Sequence, residues 1–419
     1  MESYGCAMNM ADGQLMAELL AEAGHIIVSR PEEADVIILN TCTVRADTER
    51  RMVKRLGEFL SLGKRLVVAG CLASAQPGVV YKLSRRVSLL SARAVEAVRE
   101  VVEANGPVYV LEPRPRRRLP RLLDGVKITI PIAEGCLGRC AYCIVRVARG
   151  PLRSYRPEAI VRAVREAVAR GAREVRLTAQ DTGVYGRDIG TSLPELLRAV
   201  CAVEGHFMVR VGMMNPDAAL RILDDLLDAY EDPKIYKFLH LPVQTGDNGL
   251  LKAMRRGYTV EDFLAVVEAF RSRFPDLMLA TDIMVGLPGE DEDAFKRTLA
   301  LLERVRPDKV HVARYTPRPH TPAASMPNQV PEPVKKKRSR IASELVARIG
   351  LENNMAFVGR RLRCLVVGRA PRLGQLEART LSYRPIYFEG PEGLVGDFVG
   401  LDVVSAGPYF LLGQLPSDG

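Results

Sequence analysis

The chain has 419 residues, 47% hydrophobic and 26% charged, with 60 Lys plus Arg against 50 Asp plus Glu for a formal charge of +10. Its length exceeds the ~100–200 residues of one domain, so two or three domains are expected, and the composition excludes a disordered chain. Eight cysteines are too few for a disulfide scaffold at this length, no run of ~18 apolar residues is present to cross a bilayer, and the first fifteen residues lack the pattern of a secretory signal. A cytoplasmic protein with no membrane partner is expected, and the basic balance suits an anionic partner such as nucleic acid or a nucleotide cofactor.

In chain order, apolar runs at 26–28, 36–39, 66–68 and 87–90 alternate with helix-like stretches, the pattern of a parallel α/β domain. Cys42 directly follows DVIILNT and Cys71 directly follows RLVVAG, so both are placed at carboxyl ends of parallel strands, where open α/β sheets gather ligands. Cys6 takes the equivalent place after a first strand for which only five residues remain, so that strand is very short or has lost its start. The run PRPRRRLPR at 113–121 has no apolar periodicity and reads as an exposed basic linker. Domain boundaries are expected there and near Phe357, giving units 1–112, 122–356 and 357–419.

The middle unit predicts six strands, at 126–132, 174–178, 207–211, 235–241, 277–285 and 309–314, with helices between them. Pro157 opens one helix that Gly171 closes, and Thr259 with Asp262 marks a capping box before another. Six β/α units predict a partial barrel, with its chemistry on the loops after the strands. The last unit, with β-like stretches at 361–369, 375–389 and 398–412, predicts a small β-barrel. The fold class is therefore α/β: an N-terminal parallel α/β domain, a central partial (β/α)6 barrel and a C-terminal small β-barrel. Residues 1–112 carry 13 basic and 14 acidic side chains and residues 357–419 carry 7 and 6, so the positive charge lies in 113–356.

The chemistry is carried by Cys136-Leu-Gly-Arg-Cys140-Ala-Tyr-Cys143, just after the first barrel strand. A structural zinc site shows four ligands, commonly as two CxxC pairs. Here there are three cysteines, no fourth nearby, and five histidines that form no constellation. Three thiolates can hold three irons of a [4Fe–4S] cluster and leave the fourth open to a chelating ligand. Cys201 in a helical pattern and Cys364 in a β stretch read as packing residues.

CxxxCxxC after the first strand of a six-unit barrel resembles the radical S-adenosylmethionine (SAM) superfamily. The stretches YGCAMNMADGQ, LNTCTVR, VAGCLA, EGCLGRCAYCIVRVARG, LTAQDTGVYG, HLPVQTGDNGLLKAMRRGYT, TDIMVGLPGE and YFLLGQL resemble its methylthiotransferase branch over nearly the whole chain. The resemblance implies that Cys136, Cys140 and Cys143 bind the cluster that chelates and reductively cleaves SAM. It implies a second, auxiliary [4Fe–4S] cluster on Cys6, Cys42 and Cys71, from which a methylthio group is delivered, and two SAM consumed per turnover. The 357–419 unit resembles a TRAM-type RNA-binding domain.

Cofactor contacts are expected from Tyr142, beside the SAM adenine, from Gln180 and Asp181 at the end of the second strand, and from Gly286, Gly289 and Glu290 in GLPGE. Partners implied are tRNA at its anticodon stem-loop, a low-potential electron donor such as a ferredoxin or flavodoxin, and a sulfur donor. The motifs look most like the archaeal and eukaryotic branch that acts on N6-threonylcarbamoyladenosine in tRNA. Isopentenyladenosine in tRNA, an aspartate of a ribosomal protein, and a non-catalytic metal-containing RNA-binding protein are the alternatives.

Overall fold

A computed structural model describes residues 1–44, 46–371 and 374–416; Arg45, the last residue of LNTCTVR, lies outside them. The N-terminal sheet runs β1 (Glu2–Ser3), β2 (Val36–Thr41), β3 (Arg65–Gly70), β4 (Ser88–Ser91) and β5 (Tyr109–Val110), parallel throughout and in spatial order β1-β2-β3-β4-β5. Side chains alternate across a strand, so in β2 Ile37 and Leu39 enter the core on one face of the sheet and Ile38 enters the core on the other. Burial on both faces explains why these strands read as continuous apolar runs.

The expected strand at 26–28 does not form, and Ile26 is 86% exposed. Three apolar residues between Gly24 and Pro31 are too few to compete for the edge of β2, which the two residues of β1 already occupy. The strand expected before Cys6, very short or lacking its start, is β1, which spans Glu2–Ser3.

The central unit begins with β6 (Lys127–Pro131), followed by a two-stranded ribbon of β7 (Ala133–Glu134) and β8 (Arg153–Ser154), then β9 (Glu174–Thr178), β10 (Met208–Val211), β11 (Phe238–His240), β12 (Met278–Val285) and β13 (Lys309–Arg314). All six long-range strands pair in parallel, as β10-β9-β6 and β11-β12-β13, with the bridge Val209 to Ile235 joining the two groups. Each expected strand is present, and 174–178 and 309–314 match residue for residue. The expected helices form as Pro157–Ala169 and, behind the Thr259/Asp262 capping box, Val260–Arg273.

Val209, Leu239, Leu279 and Ile283 pack outward against the helices in one large core. Met208, Phe238, Met278 and Ala280 lie on the opposite, inner face, which the C-terminal barrel covers at one end with Leu365 and Val367.

That barrel closes through β14 (Arg361–Arg369), β15 (Gln375–Thr380), β16 (Pro385–Glu389), β17 (Phe398–Gly407) and β18 (Phe410–Gln414), in spatial order β14-β15-β16-β18-β17. Two stretches expected to be single are each split in two. The 375–389 stretch turns where Tyr383 takes a left-handed backbone (φ 70°), and the 398–412 stretch turns at Gly407 and Pro408. Among the described residues no helix is long and apolar enough to cross a membrane.

Candidate active site

Parallel strands place Cys6, Cys42 and Cys71 together. Cys6 follows β1 and precedes the helix Ala7–Glu22, Cys42 follows β2, and Cys71 opens the helix Cys71–Ala75 directly after β3. Gly70 holds a φ of 90°, and a Cβ there would lie 2.5 Å from the Thr41 carbonyl oxygen, so only glycine lets β3 turn into Cys71 this close to β2.

Asn9 ties the three strand ends together. Its amide donates to the carbonyls of Tyr4 (2.8 Å) and Thr41 (2.6 Å), and its Oδ1 accepts from the Cys71 thiol (3.5 Å). Burial pushes the Cys71 thiol up to about 12, with Cys6 and Cys42 adding to the rise and Arg149 opposing it.

Cys136, Cys140 and Cys143 lie on the loop between β7 and β8. Gly135 opens that loop with φ 77°, and a Cβ there would sit 2.0 Å from the Pro151 carbonyl oxygen. Its N–H donates to Gln180 Oε1 at 2.7 Å, and the Gly138 N–H donates to Cys136 Sγ at 3.2 Å. A Cβ on Gly138 would fall 3.2 Å from Cys136 Sγ and 3.6 Å from Cys140 Sγ, so the two sulfurs turn toward one point over this residue. Burial pushes Cys136 up to about 11 and Cys143 up to about 12, and each is raised further by Cys140.

Sequence reasoning missed Arg256, which donates to Cys140 Sγ at 2.9 Å and to the Tyr258 hydroxyl at 2.9 Å. Its other nitrogen bonds Asn215 Oδ1. Asn215 in turn donates to Asp181 from Nδ2 (2.6 Å) and from its backbone (3.1 Å). Burial raises the Asp181 carboxyl against these hydrogen bonds. Asp181 and Gln180 thus reach the cysteine loop from the end of β9, Gln180 directly and Asp181 through Asn215 and Arg256.

Tyr142 packs partly buried beside Ala141, Met254, Leu287 and Tyr315. Gly286 (φ 77°) and Gly289 (φ 83°) turn the chain after β12. The Glu290 carboxylate accepts from the Gly286 N–H (3.0 Å) and from Arg338 (2.7 Å). Cys201 and Cys364 lie in the apolar cores, as expected.

The donor sets suit iron–sulfur clusters. A single tetrahedral ion with ~2.3 Å bonds to sulfur needs sulfurs about 3.8 Å apart. Among the described residues, the one His, Cys, Asp or Glu triplet with all ligand atoms within 4.8 Å of one another is His240, Asp282 and His311. Neither cysteine trio is therefore drawn to single-ion spacing, although the thiols within each trio are near enough to perturb one another. Soft all-thiolate sets of three match a cluster with one open iron. The same triplet corrects the expectation that the histidines form no constellation: β11, β12 and β13 stand side by side, with Asp282 opposite His311 and bonded to His240 at 3.0 Å.

A buried charge network joins the two cysteine sites. Arg149, in the helix Val145–Arg149 that follows Cys143, donates to Asn9 Oδ1 at 2.5 Å and to Glu134 at 3.0 Å, and is ion-paired with Asp12 at 2.7 Å. Arg116 reaches the same Asp12 at 2.5 Å and Glu134 at 3.5 Å. Two cations balance two carboxylates, and Arg149 and Asp12 are 1% and 0% exposed.

The 113–121 run is therefore not simply solvated, as expected of an exposed linker. It has no regular structure, but it delivers Arg116 into this network while Arg117 and Arg118 donate backbone N–H groups to Glu96. A second bridge runs from Arg318, buried, to the Thr43 carbonyl (2.9 Å) and Glu49 (2.5 Å), next to Cys42.

Comparisons with known proteins identify the family. Residues 130–302 match the radical SAM superfamily and residues 1–91 match an uncharacterized protein family, UPF0004. The chain is 45% identical to a "probable threonylcarbamoyladenosine tRNA methylthiotransferase" of Pyrococcus horikoshii, over 99% of this chain and 98% of that one. It is 38% identical to a tRNA-2-methylthio-N(6)-dimethylallyladenosine synthase of Moorella thermoacetica, over 99% and 97%. In fold it resembles the radical SAM methyltransferase TsrM of Kitasatospora setae, with a TM-score of 0.52 over 75% of this chain and 66% of that one at 15% identity. The chain is an enzyme of the radical SAM methylthiotransferase family.

Proposed function

We propose that this enzyme converts N6-threonylcarbamoyladenosine at position 37 of tRNA to its 2-methylthio derivative. Cys136, Cys140 and Cys143 hold the [4Fe–4S] cluster that binds SAM, and Cys6, Cys42 and Cys71 hold an auxiliary [4Fe–4S] cluster. Residues 1–112 form the auxiliary-cluster domain, 122–356 the radical SAM core and 357–419 a TRAM-type RNA-binding domain. Electrons come from a low-potential donor of the ferredoxin or flavodoxin kind, sulfur comes from a separate donor, and the enzyme works in the cytoplasm.

The observation that carries the reading is the direct link between the two cysteine trios: Arg149 ends the helix after Cys143 and bonds the same Asn9 oxygen as the Cys71 thiol. Two sites joined by one buried side chain suit a reaction that needs both at once. The higher identity to the threonylcarbamoyl relative favours that substrate over the dimethylallyl one.

The target is an aromatic C–H carbon with no acidic proton or leaving group, so general acid–base chemistry has nothing to act on. The bound clusters and SAM supply one-electron reduction, a radical able to take hydrogen from such a carbon, and the sulfur and methyl delivered to it. The chain's own residues position these groups and keep water out. Gln180 fixes the start of the cysteine loop, the line Asp181, Asn215, Arg256 fixes Cys140, and the Arg149 network fixes one site against the other. Arg256 and Arg149 also place positive charge beside groups that become thiolates on binding metal, which favours the bound state.

The test separates the two sites. Cys42→Ala should still cleave SAM to 5′-deoxyadenosine but yield no methylthiolated nucleoside, whereas Cys136→Ala should do neither. Product formation by Cys42→Ala would refute the auxiliary role.

A further inference from the structure

The inner face of the six-strand sheet carries charged side chains that the cysteine chemistry does not use. Arg210 on β10 stands in register with Arg176 on β9, and residues so paired leave the same face of a parallel sheet. Met208, two residues earlier, marks that face as the inner one. On the far side of the sheet Lys309 opens β13, in register with inner-facing Ala280, and His311 follows two residues on.

Most charges here are paired. Arg176 lies 2.5 Å from Glu174, Arg379 lies 2.5 Å from Glu377, and Asp282 is bonded to His240 at 3.0 Å. Glu174 is further engaged by the Tyr236 hydroxyl at 3.1 Å.

Arg210 and Lys309 are different. Among the described residues neither side chain has a hydrogen bond or an ion pair; Arg210 Nε is buried without a partner, whereas Lys309 is exposed at the start of β13. The Arg210 guanidinium is held instead by aromatic rings, 5.0 Å from the centre of Phe238 and 5.9 Å from that of Tyr383. Burial and the nearby Arg176 charge weaken its hold on its proton. Desolvation and the charges of Arg379 and Arg210 do the same to Lys309, against the pull of Asp282. Cations gathered beyond the supply of carboxylates oppose folding unless an anion joins them.

The aromatic clamp is itself strained. Tyr383 holds a φ of 70°, a conformation that bulky side chains avoid. The turn that carries it is fixed by Tyr383 N–H to the Thr380 carbonyl (2.8 Å) and docked onto the central sheet by Lys237 N–H to the Leu381 carbonyl (2.9 Å). The C-terminal barrel thereby contributes a side chain to the interior of the central one. Tyr383 packs at a tilt against Tyr236 (ring centres 4.9 Å apart) and Phe238 (5.0 Å), making an aromatic wall beside a guanidinium whose hydrogen-bond donors are free. A planar guanidinium so presented matches a carboxylate bidentately.

We infer that Arg210 and Lys309 form an anion subsite on the inner face of the central sheet, open to solvent at Lys309, that takes the carboxylate of the threonylcarbamoyl side chain, with Phe238 and Tyr383 as its aromatic wall. This rests on the substrate reading above and deepens it, because a dimethylallyl group carries no charge to offer. Asn215 of the cysteine mouth lies five residues beyond Arg210, past the end of β10, at most about 18 Å of extended backbone. One modified nucleoside can thus face the cysteines with its base while its side chain reaches the cations.

The test uses the full-length, cluster-loaded enzyme and fluorescently labelled anticodon stem-loops that carry either threonylcarbamoyladenosine or plain adenosine at position 37. Wild type should bind the modified loop at least about tenfold more tightly. Arg210→Gln and Lys309→Gln should each lose most of that preference while binding the plain loop as before, and Arg210→Lys should restore part of it. The melting temperature of Arg210→Gln should fall little, because the ring contacts it gives up are offset by the removal of a cation that no carboxylate balances.

Equal weakening toward both loops would assign the cations to a backbone phosphate and overturn the inference. So would an unchanged preference in both variants, or no preference in a wild type that still modifies threonylcarbamoyladenosine. If wild type modifies only isopentenyladenosine, the substrate reading fails first and the subsite fails with it.

Discussion

Replacing Arg149 by Gln should destabilise the chain more than any surface charge substitution. In the native network Arg149 and Arg116 balance Asp12 and Glu134. Without Arg149, Asp12 keeps Arg116 at 2.5 Å but Glu134 keeps only a 3.5 Å contact to the same side chain, so one buried carboxylate is left without compensation. Breaking such a pair costs about 3–5 kcal/mol. At roughly 2–4 °C per kcal/mol for a unit of 150–250 residues, the melting temperature should fall by about 6–20 °C.

Calorimetry on the metal-free chain reads this directly, with Arg348→Gln as control. The Arg348 pair with Glu303 is 57% and 59% exposed and is worth about 0–1 kcal/mol. Adding Glu134→Gln to Arg149→Gln removes the uncompensated carboxylate while leaving the Arg116–Asp12 pair intact, and should recover part of the loss. A melting temperature for Arg149→Gln no lower than that of the control, or no recovery in the double variant, would refute the reasoning.

Other consequences are open to measurement. Arg256→Gln should weaken cluster retention at Cys136, Cys140 and Cys143 by about 10–100-fold, seen as the loss of up to about four irons per chain, with the N-terminal cluster retained. Gly135→Ala forces a Cβ to 2.0 Å from the Pro151 carbonyl oxygen at a φ of 77°. It should abolish SAM cleavage, and full iron loading of that variant would contradict the stated role of the turn. In the metal-free chain burial pushes the Cys71 thiol up to about 12, so very little of it is thiolate at pH 8. Iodoacetamide should therefore label exposed Cys6 well before Cys71. Because the native state holds the Cys71 proton more tightly than the unfolded chain does, stability should decline as pH rises from about 9 towards 12.

Much of this site is legible in the sequence because parallel strands have a rule. Ligands gather at their carboxyl ends, so a cysteine directly after an apolar run can be placed without knowing its neighbours. Cys42 and Cys71 follow that rule, and the six barrel strands follow from periodicity in the same way.

The residues that join the sites are not legible in this manner. Arg149 and Asn9 are 140 positions apart, and Arg256 and Cys140 are 116 apart, and no local pattern links such pairs. Arg149 ends a short helix in a stretch where one more arginine carries no signal. Arg210 and Lys309 left a faint one: in MVRV and KVHV a charged residue occupies a strand position that alternates with valines packed on the helical core, which marks the face away from the helices. What that face meets depends on the docking of the C-terminal barrel. The Arg116 network, likewise, hid in a run whose composition alone suggests solvated charge.

The central claim is tested most directly by nucleoside mass spectrometry of tRNA bearing threonylcarbamoyladenosine, incubated anaerobically with the reconstituted, reduced enzyme, SAM and a sulfide source. The account predicts the 2-methylthio derivative of that nucleoside with wild type and its loss in both Cys136→Ala and Cys42→Ala. SAM cleavage with threonylcarbamoyladenosine left unmodified, and methylthiolation of isopentenyladenosine or a ribosomal protein in its place, would contradict it.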